Sequence, residues 1–251
     1  DKFKGSFDAA IASEIIKDAI LSVDKNANVL QLPLADGGEG TLLSLSKIFN
    51  ARIEEVEVCD PLFRKIKSKI GFFENKAIIE MAECSGLLLL KEEERNPLYT
   101  TTYGVGELIK YAMSLGVEEI IIGIGGSSTN DAGIGMLSAL GMKFKDHDSN
   151  DLKPIGINLG KIKEIDDSSY LKDVTKLKFT VLCDVSNPLF GENGAAYVFA
   201  PQKGASSEDI VILDNGLRNF AKVAKNYLGK DLSCSSGAGA AGGLGFALLS
   251  F

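Results

Sequence analysis

The stretch that decides the fold is Glu118–Gly141, EEIIIGIGGSSTNDAGIGMLSALG. Residues 120–124 are four isoleucines and one glycine, which predicts a fully buried strand. A polar, glycine-rich turn over 125–131 follows, and apolar residues then recur every three positions from Ile134, which predicts a helix. The free N–H groups at the start of such a helix can bind an anion. We interpret the turn as a phosphate-handling loop that also carries the carboxylate of Asp131.

Three other interpretations of this turn are a dinucleotide-binding fingerprint, a P-loop and a purely structural turn. The run Gly123–Ser128 nearly matches a dinucleotide-binding fingerprint, but Ser128 replaces the third glycine and no acidic residue follows a second strand at the usual distance. The turn also lacks the Gly-Lys-Ser/Thr of a P-loop. A purely structural turn, with Asn130 or Asp131 as the helix N-cap, stays open from these residues alone.

Composition narrows the class of protein. The 251 residues are 45% hydrophobic and 24% charged, which suits one large globular domain or two smaller ones. A net charge of −7 argues against nucleic-acid and anionic-membrane partners. No apolar run approaches the roughly 18 residues of a membrane span. The four cysteines form no CxxC pair, so we expect reduced thiols in a cytoplasmic protein. The oligomeric state cannot be read from the sequence.

The single histidine limits the chemistry. His147 lies in the polar segment 145–151, which predicts a surface hairpin turn. A Ser-His-Asp triad and a histidine-rich zinc site are therefore nearly excluded. Any general base should be a carboxylate or a lysine.

The N-terminal part predicts two more anion sites. Ser6 is a plausible N-cap for a helix over 7–22, which places Lys4 beside a helix N-terminus. A short strand over 29–34 leads into a glycine turn with Asp36 and Glu39, and a helix over 41–49 follows. The structural alternative is that Asp36 and Glu39 only stabilise the start of this helix through its dipole. The abrupt ends of the sequence lead us to expect further chain on both sides.

The middle of the chain changes pattern. Residues 52–58, 66–73 and 76–83 alternate apolar with polar side chains, which predicts an antiparallel meander. Helices are expected over 102–115 and, with one clear apolar stripe, over 207–228.

The last candidate site residues follow the second buried strand. A strand over 177–183 ends at Asp184, where ligand sites lie in open α/β sheets, and Asn187 is in the turn after it. Lys203 is a weaker candidate because exposed lysines are common. Residues 233–245 carry five glycines, which suggests a third close-approach loop rather than an ordinary helix. Glycine turns, strand-end carboxylates and lysines together fit phosphoryl transfer.

Several blocks, in order along nearly the whole chain, resemble the glycerate kinase family found widely in bacteria. They are Asp1–Ser6 (DKFKGS), Pro33–Thr41 (PLADGGEGT), Asn96–Gly104 (NPLYTTTYG), Gly123–Gly133, Cys183–Leu189 (CDVSNPL), Pro201–Ala205 (PQKGA) and Gly237–Gly245. The departures are small: Lys2 for a usual Ser, Ser128 for a frequent Ala and Ala132 for a frequent Gly.

The resemblance implies an α/β fold with two α/β domains. One is a discontinuous Rossmann-like domain, which we place at 1–58 and 235–251, and the other is a mixed α/β domain inserted at 59–234. The active site is expected in the cleft between them. The family also continues well past residue 251.

The resemblance also implies a kinase that uses ATP and Mg²⁺ to phosphorylate a hydroxyl of D-glycerate. We assign catalytic roles to Asp184, Asp131 and Lys4, and Mg²⁺ binding to Asp184. The substrate or phosphate-binding residues are expected to be Ser6, Asp36, Glu39, Gly125, Gly126, Ser127, Ser128, Asn130, Asn187 and Lys203. The alternatives are a kinase for another small hydroxy acid and a non-enzymatic binding protein for small acidic metabolites. Which hydroxyl is phosphorylated, and which loop faces which substrate, stay open.

Overall fold

A computed structural model of the chain describes residues 9–31, 34 and 36–251. The helices are α1 (Ala9–Val23), α2 (Thr41–Phe49), α3 (Ala82–Ser85), α4 (Tyr103–Ser114), α5 (Ile134–Ala139), α6 (Ala195–Phe199), α7 (Ser207–Leu228) and α8 (Ala240–Ser250). The strands are β1 (Arg52–Cys59), β2 (Lys65–Phe73), β3 (Lys76–Glu80), β4 (Glu119–Gly123), β5 (Lys143–Lys145), β6 (Glu164–Asp166) and β7 (Lys178–Leu182). Short 3₁₀ turns span Leu87–Leu89, Glu92–Glu94, Gly156–Lys161, Lys172–Lys176 and Pro201–Lys203.

A five-stranded mixed sheet, ordered β1-β2-β3-β4-β7, carries the fold. β1, β2 and β3 pair antiparallel, which confirms the predicted meander. β3, β4 and β7 pair parallel, with Ile121 opposite Ile78 on one side and Thr180 on the other. The predicted α/β class is therefore correct, and the isoleucine-rich stretch lies near the middle of the sheet.

The core lies between the sheet and the helices. α4 buries Val105, Leu108 and Ile109 completely, and it packs against α5 and β1. Phe220 of α7 makes edge-to-face contacts with Phe144 and Phe246, at centroid distances of 5.7 and 6.0 Å. Such aromatic contacts add to the burial that holds α7 and α8 on the body.

α7 follows the prediction residue for residue because local signals mark both of its ends. Ser206 Oγ accepts from the Asp209 N–H at 3.2 Å, and the Asp209 carboxylate accepts from the Ser206 N–H at 2.9 Å. This reciprocal capping box satisfies two N–H groups that have no partner within the helix. Gly229 ends the helix in the left-handed conformation, with φ at 72°.

Removal of the Ser206 cap should measurably lower the stability of the protein. We expect Ser206→Ala to lower the free energy of unfolding by about 1 kcal/mol, since the Asp209 N–H loses its partner. The neighbouring exposed serine, Ser207, supplies a matched Ser→Ala control that should change stability far less. Urea denaturation of both variants checks this, and equal losses would contradict the capping role.

Two predictions differ from the structure. Residues 29–31 and 34 form no strand, and Leu30 and Leu34 are 78% and 76% exposed. Alternating apolar residues make a strand only where a partner strand is available to pair with them. The glycine-dense segment 233–245, predicted to be a close-approach loop, overlaps the start of α8 over residues 240–245. The close-approach interpretation survives within it, because residues 241–243 have left-handed backbones.

The division into two domains, at 1–58 with 235–251 and at 59–234, stays a prediction. β1 runs through the expected boundary at 58/59, since its last residue, Cys59, pairs with Lys65 of β2. The predicted helix over 7–22 agrees with α1, whereas its expected N-cap, Ser6, lies outside the described residues.

Within the described parts of the chain, none of the helices combines the length and apolarity needed to cross a membrane.

Candidate active site

A cavity of about 360 Å³ lies at the carboxyl ends of β4 and β7. This is where ligands bind in open α/β sheets. Seven of the predicted site residues meet in its wall: Asp36, Glu39, Gly125, Gly126, Ser127, Asp184 and Lys203. Its other lining residues include Gln202, which lies in the PQKGA block, and Leu87, Leu88 and Phe199, to which no motif in the sequence pointed.

The two glycine turns interlock over the end of the sheet. The Gly125 N–H donates to the carbonyl of Gly37 at 2.7 Å. A Cβ at Gly123 would lie 2.6 Å from the Gly37 oxygen, and a Cβ at Gly37, where φ is 91°, would lie 2.3 Å from the carbonyl oxygen of Leu182. Glycine is therefore required on both sides of the contact, and this packing brings Glu39 to the cavity.

Glu80, at the end of β3, holds the second turn in place and was not predicted as a site residue. Its carboxylate accepts from the N–H groups of Gly40 (3.1 Å) and Leu42 (2.9 Å), at the start of α2. Burial raises the pKa of Glu80 to about 7, although these two hydrogen bonds act in the opposite direction. No local signal in the sequence marked Glu80, because the predicted strand continued to residue 83.

This raised pKa predicts a pH dependence of stability. Between the unfolded value of 4.5 and the folded value of about 7, the folded protein binds more protons than the unfolded chain. The contribution of Glu80 to stability should therefore fall as the pH rises through that window, by roughly 3 kcal/mol in total. Relative to wild type, Glu80→Gln should become progressively more stable from pH 4.5 to 7.

Denaturation curves at several pH values measure this difference. Glu93→Gln, at an exposed glutamate, serves as the control and should show no such trend. A difference between wild type and Glu80→Gln that stays constant with pH would contradict the assignment.

Asp131 lies beneath the loop and outside the cavity lining. Its fully buried carboxylate accepts from the Thr102 N–H (2.8 Å), the Thr102 hydroxyl (2.9 Å), the Gly133 N–H (3.1 Å) and the Gly135 N–H (3.2 Å). Burial raises its pKa, against the effect of those hydrogen bonds. This geometry ties the loop to the start of α4 and to the first turn of α5.

The neighbours of Asp131 in the loop are also buried. The Ser128 hydroxyl donates to the carbonyl of Ser85 at 2.9 Å, so it serves the fold of the loop. The side-chain amide of Asn130 is completely buried and has no hydrogen-bond partner among the described protein atoms. Neither side chain lines the cavity.

Among the described residues that line the cavity, Lys203 is the one lysine. Its residue is only 2% exposed. Its Nζ donates to Ser127 Oγ and to the carbonyl of Thr129, both at 2.7 Å. Burial lowers the pKa of Lys203 to about 7, while the negative charge of Asp131 acts to raise it. Lys203 was predicted to bind substrate or phosphate, with an ordinary exposed lysine as the alternative, and its burial contradicts that alternative.

The remaining predicted residues have separate surroundings. Asp184 is exposed and lines the cavity directly after β7. Asn187 is outside the lining, and its Nδ2 donates to the carbonyl of Asn193 at 2.8 Å. His147 is exposed in the turn predicted for it and pairs with Asp148 at 2.9 Å. Lys4 and Ser6 lie outside the described residues.

Comparisons with known proteins identify the family and agree with this fold. The model of the glycerate kinase family matches residues 1–251. The chain is 46% identical to a glycerate kinase of Haemophilus influenzae over 99% of its own length, and 45% identical to one of Bacillus subtilis over 100%. It is 42% identical to a glycerate 2-kinase of Escherichia coli, again over 100% of its length.

A solved structure is similar as well. A crystal structure from Salmonella typhimurium LT2, described as that of a candidate glycerate kinase 2, superposes with a TM-score of 0.87 at 43% identity over 96% of this chain. The chain spans 66% of the length of that structure and of each of the three relatives above.

Proposed function

Because this chain belongs to the glycerate kinase family, we propose that the protein transfers the γ-phosphoryl group of ATP to a hydroxyl of D-glycerate. The observation that carries the proposal is the meeting of both glycine turns, Asp184 and Lys203 around one cavity at the carboxyl ends of parallel strands. Phosphoryl transfer depends on positioned donors, cations and carboxylates, and this set supplies carboxylates and a lysine without a histidine.

The charge of the cavity wall supports a role for Mg²⁺. Three carboxylates, from Asp36, Glu39 and Asp184, and one lysine line it within the described residues. Two anionic substrates would be repelled there unless a cation joined them. Carboxylate oxygens are the donors that Mg²⁺ prefers, so the residues present fit this ion, with Asp184 as its proposed ligand. When bound, Mg²⁺ would neutralise charge on the ATP phosphates.

The protein side chains take distinct proposed roles. Asp184 is exposed to the cavity and would orient the attacking hydroxyl and accept its proton. The 125–128 turn, with Lys4, would hold the glycerate carboxylate. Asp131 is buried, and its support for the proposal is that it fixes this turn through four hydrogen bonds. The name of the Escherichia coli relative leads us to propose the 2-hydroxyl as acceptor.

We also propose that the protein is cytoplasmic, since its four cysteines are all free thiols.

The test is ATP consumption by the full-length protein with D-glycerate, with and without Mg²⁺. We expect turnover that requires both, and a phosphorus NMR spectrum of the product identifies the hydroxyl. Turnover with another small hydroxy acid in preference to D-glycerate would redirect the substrate assignment. Binding of these acids without ATP turnover would instead support a metabolite-binding protein and contradict the kinase proposal.

A further inference from the structure

The amine of Lys203 is buried in the cavity wall, where a charged group is costly to keep. Only 2% of the residue is exposed, and its Nζ lies 2.7 Å from both Ser127 Oγ and the carbonyl oxygen of Thr129. An ammonium group removed from water needs such partners, and the buried charge of Asp131 provides further compensation. The amine is therefore directed at the loop backbone and at one hydroxyl of that loop.

The hydroxyl of Ser127 is the group through which this amine can reach a ligand. A serine hydroxyl carries one proton, and its oxygen accepts through its lone pairs. Because Ser127 Oγ accepts from Lys203, its own proton must point elsewhere. The hydrogen bonds of the described residues include none in which Ser127 Oγ donates to a protein acceptor. Since Ser127 lines the cavity, that proton is available to a ligand there.

The loop around Ser127 is held firmly enough to aim this donor. The Leu87 N–H donates to the carbonyl of Gly126 at 2.9 Å, and the Ser128 N–H donates to that of Ser85 at 2.9 Å. Both neighbours of Ser127 are thus bonded to the segment after β3. A donor fixed in advance binds an anionic oxygen with little loss of conformational entropy.

We propose that Lys203 is a positioning residue which orients and polarises the Ser127 hydroxyl, so that this hydroxyl donates to an anionic oxygen of the substrate. The inference rests on the proposed function, because it takes the cavity to bind an anionic substrate. The ligand group is a carboxylate of a small hydroxy acid or a phosphate of ATP. Lys203 then contributes to binding without touching the ligand.

A double-mutant cycle tests this coupling. Dissociation constants for D-glycerate and for ATP with Mg²⁺ are measured by calorimetry on the full-length wild type, Lys203→Met, Ser127→Ala and the double variant. Each single variant should bind one of the two ligands about tenfold to a hundredfold more weakly. The double variant should be no more than about threefold weaker than Ser127→Ala, because the two residues act on one hydrogen bond. If the variants bind D-glycerate more weakly, Ser127 donates to its carboxylate; if they bind ATP more weakly, Ser127 donates to a phosphate.

Controls separate this role from a structural one. Thr100→Val removes another buried hydrogen bond to the same loop, from Thr100 Oγ1 to the carbonyl of Ser128 at 2.9 Å. It should lower stability and leave both dissociation constants unchanged. Lys203→Gln provides a second variant for the cycle should Lys203→Met not fold.

The inference would be overturned by effects of Lys203 and Ser127 that multiply in the double variant, or by unchanged affinity for both ligands in Ser127→Ala. Wild type that binds neither ligand would overturn it as well. Wild type that binds D-glycerate and ATP but does not transfer phosphate would contradict only the proposed activity. In that case the cycle still decides whether Lys203 acts through Ser127.

Discussion

Substitution of Gly242 by alanine should lower the free energy of unfolding by about 2–5 kcal/mol, or prevent folding. A Cβ at this position would lie 2.0 Å from the carbonyl oxygen of Thr129 and 2.5 Å from Cα of Asn130. Both are backbone atoms of the 125–131 loop, so neither can shift without moving the loop itself. Overpacking of this kind is destabilising. The left-handed φ of 66° adds about 1–2 kcal/mol for any residue with a Cβ.

Gly229 supplies the matched control for this prediction. Its φ of 72° is nearly the same, but a Cβ there would meet nothing within 4 Å. Gly229→Ala should therefore cost only the backbone strain, about 1–2 kcal/mol. Denaturation midpoints of the two variants give the comparison. Equal losses would show that the close approach of α8 to the loop does not contribute to stability.

Substitution of Asp184 by asparagine should lower turnover in the full-length protein at least a hundredfold. Asparagine keeps the shape of the side chain but cannot accept the proton of the attacking hydroxyl, and it is a poorer ligand for Mg²⁺. Loss of a general base commonly costs between about a hundredfold and ten-thousandfold. Because Asp184 is exposed, the denaturation midpoint should not change.

A second Asp→Asn variant shows whether the effect is specific to the cavity. Asp148 is exposed in the hairpin turn and lies outside the cavity lining, so Asp148→Asn should retain wild-type turnover. Product formation coupled to ATP consumption measures both variants. Near-normal turnover by Asp184→Asn would remove this residue from the chemistry.

Local patterns were sufficient for most of the fold. The capping box at Ser206 and the glycine at position 229 define α7 at both ends, and the alternation in β1 and β2 correctly predicted an antiparallel pair. These signals act over a few residues, so they can be read without knowing the rest of the structure. Residues 29–31 and 34 show the limit, because a strand there depends on a partner strand from elsewhere in the chain.

The site was predictable in part. The carboxylates of Asp36, Glu39 and Asp184 follow strands or precede helices, and the structure places all three around one cavity. Glu80 was missed because its side chain holds a turn 38 to 40 residues away in sequence, and no short motif records such a contact. The kinase activity itself remains a proposal, supported by the family and by this geometry.

The sequence by itself determined the class of fold, the family and the residue types gathered at the site, because periodicity, turn chemistry and motif order are local properties of the chain. Only the tertiary structure decided which of those side chains face the cavity. In the stretch Glu118–Gly141, Ser127 lines it, whereas Ser128, Asn130 and Asp131 are buried beneath it. The direction of each side chain follows from the neighbours that pack on the loop, here α3, the start of α4 and the left-handed turn of α8. These neighbours are distant in sequence, so side-chain direction cannot be read from the loop alone.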